Sequence, residues 1–137
     1  MSVKAINAYK KGTLKQDIIS ADPHKLTLML MQGALDKLAY AKGCIERNDL
    51  QGRGQHLSKV IAIFINLRDT LDLDIGGDFS QNLFSLYNYF IERLSIISSE
   101  NGLEIISEVS ELFHPIKDAW AQIPEEAKLQ AYAQANA

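Results

Sequence analysis

Apolar residues recur at helical spacing along most of this 137-residue chain, and polar breaks divide the pattern into four. The first helix is predicted from Pro23 to about Arg47. Asp22 is placed to cap it, and Pro23 suits the first helical position, where a missing N–H costs nothing. "NDLQG" ends that pattern. A second helix follows from Gly52 or Gln55 to Leu71, its first turn weakened by Gly52 and Gly54. Gly76-Gly77 in "DLDIGGD" is turn chemistry, with Asp78 or Ser80 placed to cap a third helix that runs to about Ser99. "SENG" interrupts again, and a fourth helix spans about Leu103 to Ile123 before Pro124 stops it. There is no strand alternation and no internal repeat. Connections this short make consecutive helices antiparallel. The expected fold class is all-α, an antiparallel up-down four-helix bundle over residues 22–123. Residues 1–21 show no period and read as a mobile N-terminal leader; residues 124–137 read as a frayed tail.

The four apolar faces differ in width. Apart from Leu103, the large apolar residues of the fourth helix fall within about 140°, close to one core stripe. Those of the second helix cover roughly 200°, and those of the third about 240°. The first helix opens "DPHKLTLMLMQGAL", apolar nearly all the way round. A four-helix core uses one stripe per helix and little more. Ile63, Ile65, Phe84 and Ile91 lie roughly 80° to 120° from the centres of their stripes, too far for all of them to be core. Something should cover the surplus: the leader, a second copy of the chain, or another protein. Pro115 interrupts the fourth pattern, "ELFHPIKDAW", but Ile116, Trp120 and Ile123 continue the face set by Ile106, Val109 and Phe113. A kink is expected there, not a helix end.

Composition narrows the classes. With 47% hydrophobic and 23% charged residues the chain is an ordinary globular one. A net charge of −3 gives no general attraction to nucleic acid or anionic lipid. The start, "MSVKAINAYKKG", has no apolar core of a secretory signal, and no apolar run approaches the roughly 20 residues that span a bilayer. Cys44 is alone, so neither an internal disulfide nor a thiolate zinc cluster is available. The expected location is the cytoplasm.

Candidate chemistry is thin. His56 with Lys59 three residues on is similar to the pair used by histidine phosphotransfer bundles, but Val60 stands where a small residue would let a receiver approach. Glu111 and His114 have the Glu-x-x-His spacing of di-iron bundles, yet that chemistry needs a second copy and further inward glutamates. His24 reads only as a first-turn residue. No phosphate loop, nucleophile elbow or carboxylate pair stands out, so the chain is not expected to be an enzyme and no cofactor or metal is expected.

Several stretches together resemble the flagellar export chaperone family FliS. The leader carries Ile6 and Tyr9 in an "IxxY" arrangement. "DPHKLTLMLMQGAL" is similar to the family's opening of Ser-Pro-x-x-Leu, a Met-Leu pair and a Gly-Ala, with Asp22 in place of the usual Ser. "GGDFSQNLFSLYNYFIERL" follows the family's Gly-Gly, acidic residue, Asn-Leu, Leu-Tyr-x-Tyr and Arg-Leu, and Asp118-Ala119-Trp120 matches a tripeptide near the end of the fourth helix. The resemblance runs from Ile6 to Ile123. It implies a small helical bundle that binds the C-terminal segment of flagellin in the bacterial cytosol, prevents early polymerisation and aids delivery to the flagellar export gate, without catalysis or cofactor. Under that resemblance the client-binding candidates are Ile6, Tyr9, Ile63, Ile65, Phe84 and Ile91. The alternatives left open are a helical adaptor that homodimerises through the surplus surface and, more remotely, phosphotransfer at His56.

Overall fold

The computed structural model describes residues 23–71 and 73–123, with backbone alone at 73–76. It is a bundle of four helices: α1 (Pro23–Glu46), α2 (Leu50–Asp69), α3 (Leu73–Ser95) and α4 (Gly102–Ala121). The leader with Ile6 and Tyr9, the cap position Asp22 and the C-terminal tail lie outside the described residues.

The turns explain where the helices depart from their predicted bounds. Asn48 takes a left-handed φ of 58°, and the Asp49 amide donates back to the Cys44 carbonyl at 2.8 Å, closing α1 one residue before Arg47. Asp49 then caps the next helix, its Oδ1 accepting from the Gly52 amide at 3.0 Å. α2 therefore starts at Leu50 rather than at Gly52 or Gln55, because the cap offsets two weak helix formers. At its end Thr70 Oγ1 donates to the Asn66 carbonyl at 2.9 Å. Within α3, Gly77 sits at φ 55°, ψ −135°, a conformation that only glycine adopts without strain, so the regular helix resumes at Asp78. α3 ends at Ser95, not Ser99. Asn101 shapes the loop after it, accepting from the Ser98 amide at 2.6 Å and donating to the Ile96 carbonyl at 3.2 Å. α4 runs on through Pro115, as the continuing apolar face requires.

Cross-helix contacts fix the order. Residue 24 meets residue 120, 53 meets 99, 68 meets 88, and 93 meets 108, so each helix is antiparallel to the next and α4 returns beside α1. One core fills the centre. α2 contributes Leu57, Val60, Phe64 and Leu67, spaced three and four apart, and α3 contributes Leu83, Tyr87, Phe90 and Leu94 in the same rhythm. Phe64 is its hub: the Phe113 ring stands edge-on at 5.0 Å and the Phe90 ring lies tilted at 5.2 Å.

Candidate functional site

The bundle leaves apolar side chains in water on more than one side. Ile65 and Phe84 are each 36% exposed, whereas Ile63 and Ile91 are half-buried and pack against the core. Their neighbours divide these four residues between two surfaces. Arg68 Nη1 on α2 donates to Asn88 Oδ1 on α3 at 2.9 Å, which sets the register of that pair. Ile65 lies three residues before Arg68, while Ile91 lies three after Asn88 and Phe84 four before it, so all three belong to the α2–α3 seam. Ile63 belongs to the other side of α2: its Cδ1 lies 3.8 Å from where a Cβ on Gly33 would stand, placing it on the α1–α2 seam. The periodicity identified the surplus; the helix order splits it.

Further large apolar side chains are exposed. Met29 on α1 is 46% exposed, and Phe79 at the start of the regular part of α3 is 61% exposed. Tyr40 is also exposed, its ring 5.4 Å from His56. The crowded apolar opening of α1 now has a physical account. Met31, Ala34 and Leu35 face the core, Leu26, Leu28 and Leu30 are half-buried at its margins, and Met29 points outward.

Two clusters were not legible in the sequence. His24, 4% exposed, stacks on Trp120 with ring centroids 4.9 Å apart and 9° between planes. Its Nε2–H donates to the Trp120 carbonyl at 2.6 Å, and Trp120 Nε1–H donates to the His24 carbonyl at 3.1 Å. Between α3 and α4, Arg93 Nε and Tyr89 Oη both donate to Glu108, each at 2.9 Å. The Arg93 guanidinium, and after it the Tyr89 hydroxyl, hold the Glu108 carboxyl below its usual range.

The remaining candidate residues stand apart from these two clusters. His56 Nδ1 is buried without a hydrogen-bond partner, so that nitrogen is closed to an approaching receiver. Glu111 and His114 are exposed and line a cleft of about 250 Å³ between α1 and α4, together with Leu35, Lys42 and Ile106. No group of three or more His, Cys, Asp or Glu able to hold a metal occurs among the described residues. No described helix is long and apolar enough to cross a membrane. What the surface offers chemically is apolar area along helix seams, suited to laying another helix into a groove.

Comparison with known proteins places the chain in a family. A family model described as flagellar protein FliS matches residues 5–127. The flagellar secretion chaperone FliS of Salmonella typhimurium is 37% identical over 130 residues, covering 94% of this chain and 96% of that protein. The flagellar secretion chaperone FliSB of Pseudomonas aeruginosa is 36% identical over 119 residues, covering 87% and 94%. The flagellar secretion chaperone FliS of Vibrio cholerae is 34% identical over 122 residues, covering 89% and 90%.

Proposed function

The chain belongs to the flagellar protein FliS family, and from that premise we propose that it is a flagellar export chaperone, a binding protein rather than an enzyme. In this reading it takes the disordered C-terminal segment of flagellin in the cytosol, keeps it from polymerising, and aids its delivery to the flagellar export gate. The observation that carries the reading is the apolar α2–α3 seam of Ile65, Phe84 and Ile91. About a third of Ile65 and of Phe84 stays in water, and covering such side chains gains on the order of 1 kcal/mol each. A disordered client suits a surface of this kind: it orders on binding and wraps apolar seams that a rigid partner could not follow. Ile6 and Tyr9, outside the described residues, are the further candidates for contact with that client. Calorimetric titration of the full chain with a flagellin C-terminal peptide tests the reading; absence of heat and of co-purification would end it.

A further inference from the structure

The α1–α4 seam is built differently from the apolar ones. Its cleft of about 250 Å³ has a floor of Leu35 and Ile106, both buried, and walls of small or polar residues: Ala39 on α1, and Ser110, Glu111 and His114 on α4. Among the described residues, none of the exposed large apolar side chains lines it, and none pairs with Glu111. Small-molecule pockets usually run from roughly 300 to 1,000 Å³. This cleft is smaller, and of a size for one or two side chains.

The chain itself leaves the bundle on this seam. Trp120 is held against His24, at the start of α1, by the two ring-to-carbonyl hydrogen bonds. Beyond it the Ile123 amide donates back to the Trp120 carbonyl at 3.3 Å, and Pro124 forbids a continued helix. Residues 124–137, outside the described ones, read "PEEAKLQAYAQANA". Their two large apolar side chains, Leu129 and Tyr132, are set among alanines, with Lys128 just before them. His114 lies nine residues before Ile123, about 13 Å back along the α4 axis. An extended chain covers that distance in about four residues, and any turn adds a little more. The stretch delivered to the cleft is therefore the one that begins near Lys128.

We propose that the C-terminal segment folds back along the α1–α4 seam of its own bundle and seats Leu129 and Tyr132 in this cleft, with Lys128 paired to Glu111. Leu129 covers the Leu35–Ile106 floor beside Ala39, where a small side chain leaves the opening. Tyr132 lays its ring along the same floor and keeps its hydroxyl hydrogen-bonded at the rim, where Ser110 and His114 stand. The leader reaches the bundle at the same end, but Ile6, Tyr9, Leu14, Ile18 and Ile19 are more apolar side chains than this cleft can take. They match the apolar seams instead. The α1–α4 seam lies across the bundle from the α2–α3 seam, so the docked segment leaves that surface open. The proposal is independent of the flagellin reading.

Hydrogen exchange of the full chain, read by mass spectrometry, tests it first. The fragment holding residues 127–133 should exchange at least tenfold more slowly than an unstructured chain, and Ser110→Arg, which fills the cleft, should abolish that protection. Exchange at the unstructured rate in wild type would overturn the proposal, as would protection that survives Ser110→Arg. A protected fragment around Ile6 and Tyr9 that Ser110→Arg releases would give the cleft to the leader and overturn it too. A cross-link covers the case in which the arginine disturbs folding. Ser110→Cys/Ala131→Cys should oxidise to an internal disulfide at least tenfold faster than Ser85→Cys/Ala131→Cys, while Cys44, 2% exposed, stays out of the reaction. Ser85 is an exposed α3 residue level with residue 116 of α4 in the register set by Arg93 and Glu108, so a segment that wanders would reach it at least as readily. Equal rates in the two pairs, or disulfide-linked dimers as the main product of the first, would overturn the proposal, the dimers by assigning the cleft to the tail of a second copy.

Discussion

His24 and Trp120 each hold the other's backbone. One ring donates to the carbonyl at the end of α4, the other ring donates to the carbonyl at the start of α1, and the two rings stack. The pair ties together the points where the leader joins the bundle and where the tail leaves it. His24→Ala removes the stack and one hydrogen bond, an expected loss of about 2 kcal/mol. His24→Phe keeps the stack and should lose about half as much. Trp120 is the single tryptophan, so its emission reports this site alone and should shift to the red in the alanine variant. Unchanged emission together with an unchanged melt would show that the clasp contributes nothing.

The Glu108 cluster gives the fold a dependence on acid and on base. A carboxyl held below its ordinary 4.5 by Arg93 and then by Tyr89 contributes stability that is present above that value and is lost as pH falls through the lower folded value. Tyr89 behaves in the opposite sense. Its hydrogen bond to Glu108 raises the phenol above 10.0, so its contribution is present below that pH and is lost as pH rises through the folded value. Glu108→Gln should therefore melt below wild type at neutral pH, and the gap should narrow as pH falls below 4.5. A gap of constant size across that range would assign it to packing. Tyr87 adds a separate alkaline loss: burial pushes its phenol up to about 12. Tyr87→Phe should blunt the destabilisation between roughly pH 10 and 12.

Two helical glycines should respond to alanine with opposite signs. At Gly33 a methyl has room, and the substitution should gain up to about 1 kcal/mol from helix propensity. At Gly52 a methyl collides with the Asp49 carboxylate and approaches Cys44 Sγ to 2.8 Å. Displacing Asp49 forfeits the α2 cap, worth about 1 kcal/mol, which more than cancels the propensity gain. Chemical denaturation of the two variants checks the pair; stabilisation by both would mean that the cap does not matter.

These features differ in how far the sequence exposes them. Leu57, Val60, Phe64 and Leu67 are core because a period of 3.6 puts them on one stripe, and local periodicity was enough to find them. α2 starts earlier than its pattern predicts because Gly52 and Gly54 weaken a helix locally, whereas the Asp49 cap depends on a turn at Asn48 that no periodicity encodes. The His24–Trp120 clasp joins residues 96 apart in the chain, beyond any local pattern. The candidate surface was half legible. A helical wheel shows that Ile63 and Ile65 leave the stripe on opposite sides, but only the order of neighbouring helices says that one faces α1 and the other α3.

The α2–α3 seam can be probed without damaging the bundle. Ile65 and Phe84 retain contact with water, so Ile65→Asp or Phe84→Asp should leave the thermal melt within about 1 kcal/mol of wild type, as surface changes usually do. Either variant should weaken flagellin peptide binding. A loss of several kcal/mol in stability would identify that side chain as core and remove it from the client surface.

Ile6 and Tyr9, three residues apart in the leader, would share one side of a helical turn, yet "KAINAYKKGTLK" is too short and too basic to fold alone. Two apolar anchors on such a segment suit a strap over the surplus apolar face. Tyr9 is the stronger anchor, because it can bury its ring while keeping its hydroxyl hydrogen-bonded at the rim. If the strap only covers the face, Ile6→Ala with Tyr9→Ala should tighten flagellin binding, since the cover no longer has to be displaced. If the anchors also touch the client, the same double variant should bind more weakly. The expected result is weaker binding, with the strap forming part of the site. If the strap covers the face, deletion of residues 1–10 should also raise the binding of an apolar dye or self-association. Calorimetric titration of the double variant decides between the two roles, and an affinity equal to that of wild type would exclude both.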